Sequence, residues 1–203
     1  FQLDQEQFSV HLPGDYNVMN ASEAIMAARA VGVPYEVARQ GIVTVTEIPG
    51  RFQIIKHGNK EVVIDYAVTP AAMKQLFTTV RQRGAQKIVA VFGAAGGGRD
   101  TWKRPELGAM AEQLVDHSII TTEDPFDEDP QHIADQILKG IVNQDKAEVI
   151  LDRQKAIARA LELSGVGVGV VLTGMGSETT MNVAGGQQIP WNDKDVVEGL
   201  LKS

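Results

Sequence analysis

The sequence predicts an α/β fold, a mostly parallel sheet flanked by helices from about residue 48 onward, preceded by a short helical segment. Two observations carry this. From residue 52 short apolar runs alternate with segments whose apolar residues recur at helical spacing, as parallel strands require because each needs a crossover connection. Four strand candidates also run into polar or glycine-rich segments, DYAVTP, GAAGGGRD, TEDPFDEDP and TGMGSE. A parallel sheet gathers all four on one rim, where the carboxyl ends of its strands bind ligands.

The elements follow in order. Residues 8–12 (FSVHL) alternate like a short strand and stop at Pro13-Gly14. The alanine-rich stretch 21–31 is a helix that Asn17 or Asn20 can cap and Gly32 ends. Pro34 opens a second helix that ends near Gly41. Residues 52–56 and 61–65 read as a hairpin turning at His57-Gly58-Asn59. Pro70 opens a helix that buries Met73, Leu76, Phe77 and Val80, and residues 87–92 form the next strand. Leu107, Met110, Ala111 and Leu114 mark a helix, and residues 118–121 a strand. Pro130 opens the helix of Ile133, Ile137 and Ile141, before the strand 148–151. Ala156, Ile157, Ala160 and Leu161 mark another helix, and residues 166–172 a glycine-interrupted strand. Asp193 can cap a last helix with Val196, Val197, Leu200 and Leu201 inside.

Composition narrows the function. The 203 residues are 43% apolar, enough for a proper core, and contain no cysteine, which excludes disulfides, thiol nucleophiles and cysteine-based metal sites. A net charge of −7 disfavours a nucleic-acid partner, which needs a basic face. No apolar run approaches the roughly 20 residues of a membrane span, and no signal-peptide pattern opens the chain, so a cytoplasmic protein without membrane insertion is expected. His11, His57, His117 and His132 are dispersed without metal-ligand spacing.

The richest segment is KIVAVFGAAGGGRDTWKRP, residues 87–105, an apolar strand entering a glycine-rich turn. Such a turn brings backbone N–H groups close to a ligand, and Arg99, Asp100, Lys103 and Arg104 add charge beside them. The dinucleotide fingerprint GxGxxG fails, because Gly93, Gly96, Gly97 and Gly98 have the wrong spacing. The phosphate loop GxxxxGK[ST] also fails, with Arg99-Asp100 in place of its lysine and hydroxyl. Gly-x-Ser-x-Gly is absent as well.

In order, GDYNVMNASEAIMAA, PGRF, VIDYAVTP, VFGAAGGGRDTWKRP, TTEDPFDEDP, LDRQKAI and GMGSE span nearly the whole chain. The series resembles the Mur ligases, and among them the UDP-N-acetylmuramoyl-tripeptide synthetase type. The resemblance implies a Rossmann-like C-terminal domain over 48–203, with 1–47 as the C-terminal tail of a central ATPase domain. It implies an ATP-dependent ligase of peptidoglycan synthesis that joins an amino acid to a UDP-N-acetylmuramoyl-dipeptide. The phosphate loop and magnesium ligands of such an enzyme belong to its central domain. This chain is therefore expected to be a fragment, inactive alone, with no catalytic residue or metal ligand of its own.

The resemblance also implies roles for individual residues. Asn20 would contact adenine, although helix capping is an equal alternative, while Arg51 would reach the phosphates or ribose and Asp65 would bind the ribose hydroxyls. On the amino-acid side, Arg99 would hold the carboxylate, Glu178 beside Gly174 would hold the distal ammonium, and Glu123 and Asp124 would complete the pocket. Lys103 and Arg104 match the family's KRP, with packing at the start of a helix as a simpler role. The chain departs from the pattern in three places. Val68, and Met175 with Ser177, replace residues whose roles then do not transfer, which leaves a non-catalytic binding or assembly module as an alternative. Phe126 stands where the arginine that selects diaminopimelate would sit. With Glu123, Asp124, Asp127, Glu128 and Asp129 around it, a cationic substrate such as lysine or ornithine is expected.

Overall fold

The computed structural model describes residues 1–202 and divides into two compact units, which part after Ile48. In the first, β1 (Gln2–Leu3) and β2 (Glu6–Gln7) form a small hairpin, turning through Asp4 and Gln5 at φ 47° and 68°. The strand expected over 8–12 does not form. Phe8 is buried and Ser9 and His11 are exposed, so the alternation describes burial, but no ladder partner is present for residues 9–12. Helix α1 (Asp15–Ala30) begins earlier than expected, because Gly14 at φ 91° turns the chain directly into it. Asn17 and Asn20 consequently lie inside the helix and do not cap it. The Asn17 amide donates to Pro13 O at 2.7 Å, and the Asn20 amide donates to Asn17 Oδ1 at 3.2 Å. Helix α2 (Tyr35–Thr44) runs past Gly41, and its Ala38 packs with Phe8 and Ile25.

The second unit carries the main sheet. Its elements are β3 (Gln53–His57), β4 (Lys60–Ile64), α3 (Pro70–Gln82), β5 (Lys87–Phe92), α4 (Lys103–Leu114), β6 (His117–Ile120), α5 (Pro130–Leu138), β7 (Ala147–Val149), α6 (Arg153–Leu163), β8 (Val168–Leu172), β9 (Thr180–Val183), β10 (Gln187–Pro190) and α7 (Asp193–Lys202). Six strands pair in the order β3-β4-β8-β5-β6-β7, with β3 antiparallel at the edge and every other pair parallel. On one face Val62, Ile64, Val89, Val91, Ile119, Val170 and Leu172 pack with Ala156, Ile157 and Ala160 of α6 and Val197 of α7. The intervening Val63, Ile88, Ala90, Ile120 and Val171 are equally buried, and α3, α4 and α5 pack in series, α3 against β5 and α4 against β6. This is the mostly parallel, doubly covered sheet that the strand and helix rhythm predicts.

The helix starts follow local chemistry. Thr69 Oγ1 and Asp129 Oδ1 accept N–H bonds ahead of Pro70 and Pro130, and Asp152 Oδ1 accepts from Lys155 N at the start of α6. Asp193 does not cap α7. Its carboxylate turns inward to Arg153, and Asn192 Oδ1 takes the capping bond from Asp195 N at 3.1 Å. The antiparallel pair β9–β10 follows the GMGSE segment in a stretch with no clear periodicity. No helix among the described residues is long and apolar enough to cross a membrane.

Candidate functional site

Parallel pairing of β4, β8, β5 and β6 puts residues 65, 173, 93 and 121 on one rim. At the β4 end three segments distant in sequence meet. Gly50 has φ 64°, and a Cβ there would lie 2.1 Å from Ser177 N, so the PGRF turn presses its backbone onto GMGSE. Gly176 presses in turn on Tyr66, whose Cβ and Cδ2 would lie 2.8 Å from an added Cβ. Phe52, at φ 46°, donates its N–H to Asp65 Oδ2 at 2.7 Å, and the Tyr66 and Ala67 N–H groups lie near the same carboxylate. Burial pushes the Asp65 carboxyl above the ordinary carboxylate range, against the pull of the Phe52 N–H and Arg51. The Arg51 guanidinium lies 4.5 Å from the centre of the Tyr66 ring, and the Glu178 carboxylate lies close to the Tyr66 hydroxyl. Burial first, and Glu178 second, raise the Tyr66 phenol above its usual value.

Gly50→Ala tests this contact. The added methyl meets backbone, which cannot move aside as a side-chain end can, and it adds strain at positive φ. The substitution is expected to cost about 2–3 kcal/mol, read as a lowered urea midpoint.

The glycine loop meets the acidic loop along its length. Gly96 N donates to Asp124 O at 2.9 Å and Gly98 N donates to Glu128 Oε1 at 2.5 Å, while the Gly93 N–H lies beside the Glu123 carboxylate. A Cβ on Gly96 would lie 1.9 Å from Pro125 O. These N–H groups thus bind the neighbouring loop, which corrects the expectation that the turn holds them out to a ligand. Arg104 is fully buried, with Nη1 on Glu128 (2.8 Å) and Gln136 (2.7 Å) and Nη2 on Ala95 O (2.9 Å). Its packing role is the simpler of the two that the sequence left open.

The acidic loop is equally engaged. Asp124 Oδ1 accepts from Asn182 N and Asp127 Oδ1 from Gly185 N, both at 2.7 Å, which ties the loop to the β9–β10 hairpin. Asp129 begins α5. Glu123 is buried, and a Cβ on Gly174, at φ 100°, would lie 1.8 Å from its Oε2. Burial raises the Glu123 carboxyl to about 7, although Arg153 and Lys103 oppose the shift. Behind it Arg153 donates Nε and Nη2 to the two oxygens of Asp193 at 2.8 and 2.7 Å, with both side chains buried. Arg153 Nη2 also reaches Thr173 O at 2.9 Å, and Trp191 Nε1 donates to Asp193 Oδ1 at 2.8 Å. A cavity of about 420 Å³ opens between the acidic loop and the hairpin, lined by Pro125, Phe126, Asp152, Met181, Ile189 and Trp191 among others.

The candidate residues therefore sort into groups. Arg51, Asp65 and Glu178 meet around Tyr66, while Glu123 meets Gly174, and Asp124 anchors the hairpin. Arg99 is exposed on the glycine loop, and Asn20 is exposed on α1 of the first unit. Tyr66 and Arg153 carried no assigned role in the sequence, and Asp193 only that of a helix cap. Arg153 had a usable signal, since a cation in the first turn of α6 opposes the helix dipole and so points to a partner elsewhere. Among the described residues no group of three or more histidines or carboxylates is arranged to hold a metal ion.

An open α/β sheet whose rim loops converge in this way defines a ligand-binding domain of the doubly wound class. Residues 50–176 match the family described as "Mur ligase, glutamate ligase domain", and the chain belongs to that family. It is 36% identical over 201 residues, 99% of its length, to the UDP-N-acetylmuramoyl-L-alanyl-D-glutamate--2,6-diaminopimelate ligase of Aquifex aeolicus. It is 34% identical over 97% of its length to the enzyme of the same name from Clostridioides difficile. It spans 41% of each relative. A solved structure of a ligase with that name superposes with a TM-score of 0.73 at 30% identity, covering 96% of this chain and 40% of that one. MurF from Acinetobacter baumannii shares the fold at 18% identity, with a TM-score of 0.68 over 97% of this chain and 39% of its own.

Proposed function

We propose that this chain is part of an ATP-dependent ligase that adds the third residue to a UDP-N-acetylmuramoyl-dipeptide in peptidoglycan synthesis. In that reading it closes over ATP and binds the incoming amino acid. Residues 1–47 are the tail of the ATPase domain and 48–203 the C-terminal domain. The meeting of PGRF, DYA and GMGSE around Tyr66 carries the proposal, because it brings one guanidinium and two carboxylates to one rim.

The residues fit the ligands in kind. Asp65 is a carboxylate at a strand end, suited to ribose hydroxyls, and Arg51 carries a fixed charge suited to phosphates, with Asn20 as the adenine contact. When bound, ATP supplies the phosphoryl group that activates the dipeptide carboxylate, with magnesium held outside this chain. Arg99 binds the amino acid's carboxylate, Glu178 its distal ammonium, and Glu123, Asp124 and Gly174 shape the pocket wall.

Phe126 supports a cationic amino acid, lysine or ornithine. Its ring lies 3.5 Å from where a Gly97 Cβ would sit and lines the cavity, and it has no group to pair with a second carboxylate. The names of the relatives favour a second reading, 2,6-diaminopimelate. Amino-acid-dependent phosphate release by the full-length enzyme separates the two: lysine or ornithine is expected to exceed meso-diaminopimelate in kcat/KM at least tenfold. The reverse order overturns the preference for a cationic amino acid. Absence of release with every amino acid overturns the ligase reading in favour of a binding module.

A further inference from the structure

We propose that Tyr66 is a positioning residue that couples the nucleotide side of the rim to its amino-acid side. The inference rests on the ligand assignments proposed above for Arg51 and Glu178. One side chain lies between both: its ring carries the Arg51 guanidinium at 4.5 Å, and its hydroxyl lies beside the carboxylate of Glu178, two residues beyond the Gly176 that packs on it. The ring has little freedom of its own. Gly176 packs on Tyr66 at a distance that excludes any side chain, and the backbone of Gly50 closes on the same spot, Gly50 O lying 3.0 Å from an added Cβ. Asp65, immediately before it in the chain, is fixed by the Phe52 N–H.

A guanidinium that binds phosphate over this ring holds the ring in one orientation. The hydroxyl then holds the Glu178 carboxylate in one orientation toward an ammonium. By reciprocity, an ammonium at Glu178 favours the same ring position and hence the Arg51 geometry that binds phosphate. Tyr66 therefore acts on both ligands without being required to touch either.

Calorimetric titration of the full-length ligase with ADP and with the amino acid it uses tests this. In the wild type, saturating ADP is expected to tighten amino-acid binding about fivefold or more. Tyr66→Phe keeps the ring and the Arg51 stack but removes the hydroxyl. It should weaken amino-acid binding roughly tenfold, leave ADP binding within twofold, and bring the ADP effect close to one. Tyr66→Leu, which also removes the stack, should weaken ADP as well. A merely structural role would lower both affinities together in Tyr66→Phe. That result, or an unchanged ADP effect in Tyr66→Phe, overturns the coupling while leaving the site reading intact. Failure of ADP to bind the wild-type enzyme overturns the site reading and the coupling with it.

Discussion

Asp193→Ala is expected to lower the stability of this chain by about 3–5 kcal/mol, the cost of leaving a buried guanidinium without its carboxylate. Arg153 and Asp193 are both almost inaccessible, and the pair is two-pronged. The substitution also removes the acceptor of Trp191 Nε1. The damage should not remain local, because Arg153 Nη2 also holds the carbonyl of Thr173 at the end of β8, beneath the rim loops. Thermal melting should report a drop of roughly 10 °C. The double replacement Arg153→Met with Asp193→Leu should recover most of the loss, since an apolar pair of similar volume avoids desolvating two ions. A single Asp193→Ala variant that melts within 2 °C of the wild type would show that the pair contributes little.

That ion pair also shows what the sequence could express. Segments with one strong local signal were legible: the strand Lys87–Phe92 formed as expected, and Pro70 and Pro130 opened α3 and α5. Their chemistry is local, a fixed φ and a missing N–H where a helix begins. Residues 8–12 failed for the opposite reason, because period-two burial specifies a face and cannot supply a partner strand. The β9–β10 hairpin was not legible because its anchors are remote. Asn182 N and Gly185 N are held by Asp124 and Asp127, each 58 residues away.

The candidate site divides along the same line. The segments PGRF, DYAVTP and GMGSE could be singled out by composition and order, but their contact depends on Gly50 and Gly176 touching other backbone and ring atoms. The acidic loop read as a surplus of negative charge for a cationic ligand. In the fold Asp124, Asp127, Glu128 and Asp129 each already accept backbone N–H bonds, so most of that charge is spent on the loop itself.

Glu123 is the exception, and it makes stability depend on pH. Its carboxyl is raised to about 7 because burial outweighs the attraction of Arg153 and Lys103. The folded state therefore holds this proton to higher pH than the unfolded state, where a glutamate titrates near ~4.3. Between these values the folded chain binds more protons, so stability must fall as pH rises. The loss begins near the unfolded value, is complete above the folded one, and amounts to roughly 3–4 kcal/mol. Glu123→Gln keeps the size of the side chain and an acceptor oxygen but carries no proton to lose. Urea unfolding at pH 5 to 8 should thus show the wild type falling relative to this variant, with the variant the more stable of the two at pH 8. A difference that stays flat over this range would mean that Glu123 is ionised throughout. An ammonium group bound beside the carboxylate would pull its proton off, so amino-acid binding near pH 6 should release protons in the wild type and fewer in Glu123→Gln.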